Sequence, residues 1–318
     1  MKKLRVGVVG VGYLGKYHAE KYAKMDNVDL VAVVDVNRKN AEDIAKKFGT
    51  KAYLNYKDLF GKVDAVSIVT PTPLHFAVGM DFLENDVDLL LEKPMTTTLE
   101  QADELIGLAE SKGLIVQVGH LERYNKAIAA LENLIKNPMF IESHRLGLYK
   151  ERGTDVSVVL DLMIHDIDII LNFVKSKIKS IHAAGTPVIS KLVDIANARI
   201  EFENGCVANI TASRISTKSE RKIRLFQKDA YVSVDFVKRE VNIVKQSGKD
   251  HSGLIPGMET RKLFFKQGDA LEDELKDFVK SVIKREAPEV SGRVGRDALK
   301  VALTIVECID SRNRRLAS

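Results

Sequence analysis

The chain has 318 residues, of which 45% are hydrophobic and 29% charged, and its formal net charge is +5. This composition is typical of a globular protein and excludes wholesale disorder, collagen-like chains and coiled coils. No run approaches the roughly 20 apolar residues of a membrane span, and the absence of Trp and of a basic stripe argues against nucleic-acid binding. Because the N-terminus lacks an apolar signal region, we expect a cytoplasmic location.

The first 120 residues alternate between two kinds of segment. Nearly continuous apolar runs occur at 4–9, 30–34, 65–69, 89–91 and 114–118, and helix-length segments lie between them at 15–25, 41–48, 75–84 and 99–112. Strands that are apolar at successive positions are buried on both faces, as in a parallel sheet covered by helices. The alternation predicts an α/β fold that begins with a doubly wound Rossmann domain over residues 1–120.

The first apolar run leads directly into a glycine motif, Gly10-Val11-Gly12-Tyr13-Leu14-Gly15. Glycines at these positions permit a tight turn, close approach of the backbone to a pyrophosphate, and packing of the helix on the strand. The helix N-terminus then offers N–H donors to the phosphates. Asp35 ends the second predicted strand, where a dinucleotide site carries its ribose-binding acid. Together these features predict a bound dinucleotide.

The charges after the second strand bear on the choice between NAD and NADP. Asp35 would accept hydrogen bonds from the ribose and repel a 2′-phosphate, which favours NAD. Arg38 could pair with such a phosphate, or it could be a solvated residue of the first helical turn. We favour the second interpretation and expect NAD, with NADP as the less favoured cofactor.

The alternation of strand-like and helix-length segments ends after residue 120. Strand-like segments follow one another at 140–146, 178–183, 193–202, 206–212, 223–227, 230–236 and 241–245. Partial alternation of polar and apolar residues, with a turn signal at Glu203-Asn204-Gly205, predicts an antiparallel sheet with one solvated or interfacial face. We expect an extended loop over 248–267 and helices over 155–173, 271–284 and 296–310. Residues 121–318 are therefore expected to form a second domain.

Asp161 and His165 lie four residues apart in the predicted helix 155–173, which places them on one face. From spacing alone, an exposed acidic stripe with one histidine is favoured over a catalytic pair. Asp166 and Asp168 are interpreted as residues of the helix surface or its caps.

The fourth apolar run ends in Glu92-Lys93-Pro94, at the edge of the sheet where ligands of doubly wound folds bind. A lysine there is poorly explained by packing. With this motif, the sequence resembles the Gfo/Idh/MocA oxidoreductases over nearly its whole length. The residues that carry the resemblance are the glycine motif, Asp35, Thr70-Pro71, His75, Glu92-Lys93-Pro94, the segment from Gly119 to Asn125 and the segment from Asp161 to Asp166.

The resemblance implies a role for several of these residues. Lys93 would reach both substrate and nicotinamide, with a cis bond to Pro94. Asp161 and His165 would lie beside the nicotinamide. The cofactor cleft would be lined by Thr70, Pro71, His75 and Glu92, with Tyr13 and Leu14, and the substrate would be bound by Lys93, Arg123, Tyr124, Arg152, Asp161 and His165. An alternative for His75 is that it satisfies local backbone groups.

The resemblance also implies an architecture and an assembly. The second domain would carry a large, mainly antiparallel open sheet that binds substrate on one side and joins copies into a homodimer or homotetramer on the other. No residue spacing suggests a metal site.

The expected reaction is transfer of a hydride to NAD from a ring hydroxyl of a sugar or nucleotide sugar. His165 would be the base, Asp161 would hold it or bind the substrate, and Lys93 would donate to the reacting oxygen. Three alternatives stay open: a dehydrogenase of cyclitols or free sugars, a reductase of imines or conjugated bonds, and a non-catalytic sensor of NAD or sugar.

The segment ahead of the Asp161 helix resembles the branch of the family that oxidises the 3-hydroxyl of UDP-linked N-acetylhexosamines. Arg145, Lys150 and Arg152 would give a diphosphate-bearing substrate a cationic approach. An ordinary solvated loop explains these three residues equally well.

Overall fold

The structure, a computed structural model, describes residues 3–132, 134–149, 156–247, 257–265 and 268–317. It divides into two compact units: Met1–Tyr124 with Asp269–Asp297, and Asn125–Gly268 with Ala298–Ser318. The expected division at residue 120 differs from this one, because it places 269–297 with the second domain. That segment belongs to the first unit since its apolar side chains, including Leu275 and Phe278, are buried in that unit's core.

The described part of the first unit contains a six-stranded parallel sheet in the order β3-β2-β1-β4-β5-β6. Its strands are β1 (Leu4–Val9), β2 (Val28–Val34), β3 (Lys51–Tyr53), β4 (Ala65–Ile68), β5 (Asp88–Glu92) and β6 (Val116–Gly119). This order, with helical crossovers, is that of a doubly wound Rossmann sheet, so the predicted fold of this part is confirmed. The short edge strand β3 was absent from the sequence prediction.

Helices of the described residues are α1 (Gly15–Ala23), α2 (Arg38–Phe48), α3 (Thr72–Glu84), α4 (Leu99–Lys112), α5 (Lys126–Leu131), α6 (Ile164–Phe173), α7 (Ala270–Lys284) and α8 (Gly292–Ala317). In the first unit they cover both faces of the sheet. Leu90 of β5 packs in the core cluster that contains α7, whereas Leu89 and Leu91 pack in the cluster that contains α3 and α4. Successive side chains of a strand point to opposite faces, which explains the continuous apolar runs.

The second unit's described residues form an eight-stranded sheet in the order β14-β13-β12-β11-β7-β10-β9-β8. The strands are β7 (Phe140–Leu146), β8 (Ile178–Thr186), β9 (Ile195–Phe202), β10 (Val207–Ser213), β11 (Glu220–Gln227), β12 (Ala230–Asp235), β13 (Glu240–Gln246) and β14 (Met258–Phe264). Neighbouring strands pair antiparallel except β7 with β10. The predicted mainly antiparallel sheet is confirmed.

Strand β14 corrects the expectation of an extended loop over 248–267. It pairs with β13 from Met258 to Phe264, and most of its side chains are exposed. Backbone hydrogen bonds hold this edge strand, so its sequence needs no apolar alternation and shows none. Residues 248–256 and 266–267 lie outside the described residues.

One face of the second sheet is packed and the other is open. Along β9, Ala196, Ala198 and Ile200 are buried against α6 and α8, while Asn197 and Arg199 on the opposite face are exposed. This alternation is that of an antiparallel sheet with a single buried face.

Among the described helices, none is both long and apolar enough to cross a membrane.

Candidate active site

The glycine motif forms the turn between β1 and α1. Gly10 has a φ of +87°, and a Cβ added there would lie 2.6 Å from the carbonyl oxygen of Val69. A Cβ on Gly15 would lie 1.8 Å from the carbonyl oxygen of Gly10. Gly12 is different, because a Cβ there would meet no described atom within 4 Å. Packing therefore demands glycine at Gly10 and Gly15, whereas Gly12 leaves space on the open side of the turn.

That open space fits the pyrophosphate of a dinucleotide. Helix α1 begins at Gly15 without a side-chain cap at Leu14, so no capping side chain occupies the N-terminal end of this helix. Tyr13 and Leu14, which the sequence assigned to the cofactor site, are 58% and 43% exposed beside it. The residues present thus fit the phosphate-binding half of an NAD site.

Asp35 follows β2 and lies against the same turn. One carboxylate oxygen accepts a hydrogen bond from the backbone N–H of Val11 at 3.0 Å, and the other accepts one from Asn37 N–H at 2.8 Å. Arg38, at the start of α2, donates to Glu42 one turn later and is largely exposed. Its geometry is that of a solvated residue in the first helical turn.

Glu92-Lys93-Pro94 follows directly on strand β5, and the Lys93–Pro94 bond is cis as expected. The Glu92 carboxylate lies 3.2 Å from Nε2 of His18, a buried residue of α1. Burial acts to raise the pKa of Glu92, but the hydrogen bond and charge of His18, followed by the charges of Lys93 and His75, hold that pKa below its usual value. An ionised Glu92 therefore lies beside Lys93.

His75 lies near the start of α3 and is 1% exposed. Its Nδ1 is 3.0 Å from the carbonyl oxygen of Pro94, and its Nε2 is 2.8 Å from that of Thr70. The ring thus contacts two backbone carbonyls, as the alternative interpretation of this residue states. Thr70 and Pro71 themselves lie between β4 and α3, at the carboxyl edge of the sheet.

The segment 269–297 contributes a buried carboxyl group that sequence reasoning missed. Glu274 of α7 is fully buried, and neither of its carboxylate oxygens has a hydrogen-bond partner among the described residues. Burial, followed by the charges of Glu92 and Asp277, raises the pKa of Glu274 well above its usual value. The burial of Glu274 had one indication in the sequence: this glutamate lies on the apolar stripe of a predicted helix, between Leu271 and Phe278.

Arg123 and Tyr124, assigned to substrate binding by the resemblance, contact this same segment. The Tyr124 hydroxyl donates to Asp277 at 2.8 Å, and Arg123 donates to Glu289 at 3.2 Å. These two hydrogen bonds therefore help to hold the segment 269–297 against the rest of the first unit. The substrate role stays a prediction.

Asp161 and His165 lie on either side of a change in helical geometry. Residues Val159–Met163 form a π-helical turn and α6 continues the helix from Ile164 to Phe173, so the predicted helix is present but its first part is wider than an α-helix. π-helical turns are rare and concentrate at functional sites. Asp161 and His165 are both partly exposed. Asp155, the expected start of the helix, lies outside the described residues.

A buried ion pair corrects two further expectations about the second unit. Arg145 of β7 donates to both carboxylate oxygens of Asp166, at 2.9 and 3.0 Å, and both side chains are almost completely buried. Arg145 is thus not part of a cationic approach to a substrate, and Asp166 is neither a surface nor a capping residue. The pair joins the sheet to the helical turn next to His165. Lys150 and Arg152 lie outside the described residues.

Comparison with known proteins matches both halves of the chain. The profile described as an oxidoreductase family with an NAD-binding Rossmann fold matches residues 4–120, and that of the GFO/IDH/MocA C-terminal domain matches residues 142–232. UDP-N-acetylglucosamine 3-dehydrogenase from Acidithiobacillus ferrooxidans is 36% identical over 312 residues, which cover 98% of this chain and 99% of that protein. A solved structure of that enzyme has a TM-score of 0.91, with 98% and 99% coverage at 35% identity.

More distant relatives share the fold. Myo-inositol 2-dehydrogenase from Thermotoga maritima is 24% identical over 331 residues, which cover 97% of each chain. The structure of scyllo-inositol dehydrogenase from Lactobacillus casei, with bound NAD(H) and scyllo-inositol, has a TM-score of 0.80 at 20% identity and 98% coverage of each chain. Because the profiles match both halves and one relative exceeds 30% identity over nearly the full length, this chain belongs to the Gfo/Idh/MocA family of NAD-binding oxidoreductases.

Proposed function

We propose that the protein is an NAD-dependent dehydrogenase that oxidises the 3-hydroxyl of UDP-N-acetylglucosamine. The observation that carries this proposal is the full-length similarity to an enzyme with that name, at 36% identity against 24% for the inositol dehydrogenase from Thermotoga maritima. The open space at Gly12 and the placement of Asp35 support NAD as the cofactor. Dehydrogenation of a cyclitol or a free sugar is the competing function.

Each proposed catalytic residue has a separate task. NAD, when bound, would supply the hydride acceptor. His165 takes the hydroxyl proton, since an imidazole titrates near operating pH, and Asp161 orients His165 or binds the sugar. Lys93 donates to the reacting oxygen and stabilises its developing negative charge. Glu92, whose charge is retained, compensates the ammonium group of Lys93.

The open face of the second unit's sheet is the proposed contact between copies of the chain. It presents polar side chains such as Asn197 and Arg199, which a partner of the same sequence could pair with. We propose a homodimer or homotetramer that binds a small nucleotide-sugar substrate and no nucleic acid. A cytoplasmic location stays a prediction from the sequence.

The substrate class is tested by offering the purified protein NAD with UDP-N-acetylglucosamine, free glucose or myo-inositol and following NADH absorbance. We expect NADH only with the nucleotide sugar, because an enzyme named for this substrate is 36% identical over nearly the full length of both chains. NADH formation with glucose or myo-inositol and none with the nucleotide sugar would contradict the proposal and favour the competing function.

Cofactor choice gives a second prediction, based on the charge of Asp35. We expect NAD to bind about fivefold or more tightly than NADP, because a carboxylate and a phosphate about 4 Å apart repel by about 1 kcal/mol even in water. Asp35→Asn should narrow the preference for NAD because it removes the negative charge. The turn should be preserved, since the amide oxygen can still accept the hydrogen bond from Val11 N–H. Titration of both cofactors measures the effect.

Arg38→Met is the matched variant for this test. Because Arg38 pairs with Glu42 on its own helix, its loss should leave the affinities for both cofactors within about twofold. A selective loss of NADP affinity in Arg38→Met would assign the phosphate to Arg38 and reject the expected role of Asp35.

A further inference from the structure

The contacts of His75 are unusual because both of its ring nitrogens face acceptors. Nδ1 lies 3.0 Å from the carbonyl oxygen of Pro94 and Nε2 lies 2.8 Å from that of Thr70. A carbonyl oxygen cannot donate, and a neutral imidazole has only one N–H. Only the imidazolium form of His75 can therefore donate to both carbonyls at once.

These two carbonyls belong to different loops of the candidate cofactor site. Thr70 follows β4, and Pro94 follows Lys93 at the end of β5. The side chain of His75 is 1% exposed, so its ring is shielded from bulk water. A buried polar ring that bridges two backbone segments restricts their relative position.

Burial and the neighbouring groups shift the pKa of His75 in opposite directions. Burial lowers the pKa of His75 below its usual value, while its contacts with Thr70 and Pro94 and the charge of Glu92 oppose that shift. Glu92 in turn faces His18 of α1 and is next to Lys93, both of which stabilise its carboxylate. Burial therefore sets the balance, and the second proton binds only on the acidic side of neutrality.

We propose that His75 is a positioning residue that holds the Lys93-Pro94 turn against the Thr70 loop, and that the hold is complete only when its ring carries both protons. His75 does not need to touch the dinucleotide or the sugar for this. The inference rests on the proposed function only for the role of Lys93, since the two loops and their bridge are features of the NAD-binding unit.

The first test uses the wild-type protein, labelled with 15N at histidine, and reads the ring nitrogens by NMR. The seven histidines allow His75 to be assigned as the signal lost in His75→Gln. We expect one His75 nitrogen to be protonated at pH 8 and the other to gain a proton as the pH is lowered through the acidic range in which the protein stays folded. A ring that keeps one unprotonated nitrogen throughout this range would overturn the two-donor bridge.

The second test measures NADH affinity by fluorescence, without any sugar, in wild type, His75→Gln and Lys46→Gln. The glutamine amide carries both of its N–H donors on one nitrogen and cannot span the two carbonyls as the ring does, so we expect His75→Gln to weaken NADH binding by about tenfold, the effect of losing one charge-assisted hydrogen bond. The wild type should bind more tightly at pH 5.5 than at pH 8, and this dependence should be smaller in His75→Gln.

Lys46 is an exposed residue of α2, so Lys46→Gln should match the wild type in both measurements. Equal affinity and equal pH dependence in His75→Gln and wild type would reject the positioning role. Neither test involves a sugar, so a wrong substrate assignment would leave both results interpretable. Should His75→Gln fail to fold, His75→Asn assigns the NMR signal, and the wild-type titration alone decides the two-donor bridge.

Discussion

Lys93→Met and His165→Asn are each expected to lower turnover by about 10² to 10⁴, the usual effect of removing a positioned proton-transfer or oxyanion-stabilising group. Neither change removes a contact of the glycine turn, so NAD affinity should stay close to that of the wild type. Steady-state rates with the nucleotide sugar and a separate NAD titration measure the two effects. The loss in His165→Asn should also remove the acid limb of the pH–rate profile.

A matched control is available in the first unit. Lys46 is an exposed lysine of α2, so Lys46→Met should keep wild-type turnover. Near-normal turnover of His165→Asn across the pH range would show that another group removes the proton. Loss of NAD affinity in Lys93→Met, with turnover unchanged at saturating NAD, would make Lys93 a cofactor ligand only.

Gly12→Ala is expected to weaken NAD binding without affecting folding, whereas Gly15→Ala is expected to destabilise the fold. A Cβ on Gly12 meets no described atom within 4 Å, so the protein should fold with an unchanged melting temperature. The methyl group would occupy the space proposed for the pyrophosphate, and steric overpacking of about 1–3 kcal/mol corresponds to about a 10- to 100-fold loss of NAD affinity.

Gly15→Ala should instead destabilise the first unit. Its Cβ would lie 1.8 Å from the Gly10 carbonyl oxygen, which is backbone and cannot rotate away. We expect a loss of about 3 kcal/mol or more in the free energy of unfolding. Thermal unfolding and NAD titration of the two variants distinguish these effects. Equal NAD affinity in Gly12→Ala and wild type would remove the turn from the proposed pyrophosphate site.

Local sequence patterns determined most of the first unit. The apolar runs around β1, β2, β4, β5 and β6 are buried on both faces, and such strands carry their burial pattern in their own residues. The glycine motif is equally local, because a turn between adjacent elements is defined by neighbouring residues. The Lys93 motif was found because a lysine after an apolar strand has no packing explanation.

Elements with few buried side chains were not determined in this way. The edge strands β3 and β14 are held by backbone hydrogen bonds to one neighbour, which any residue except proline can make. The π-helical turn at Val159–Met163 was missed for a different reason. Its sequence has the same apolar content as an α-helix, and only the packing around it selects the wider turn.

Partners distant in sequence were decided by the tertiary structure alone. The sequence predicted α7 as a helix but could not state that its apolar face packs in the first unit's core, nor that Glu274 would be buried there. The bond from Arg145 to Asp166 and the contacts of His75 with Thr70 and Pro94 likewise join different elements. Amino-acid patterns specify which groups must be satisfied, whereas the partner that satisfies each buried charge or N–H depends on which elements the folded chain brings together.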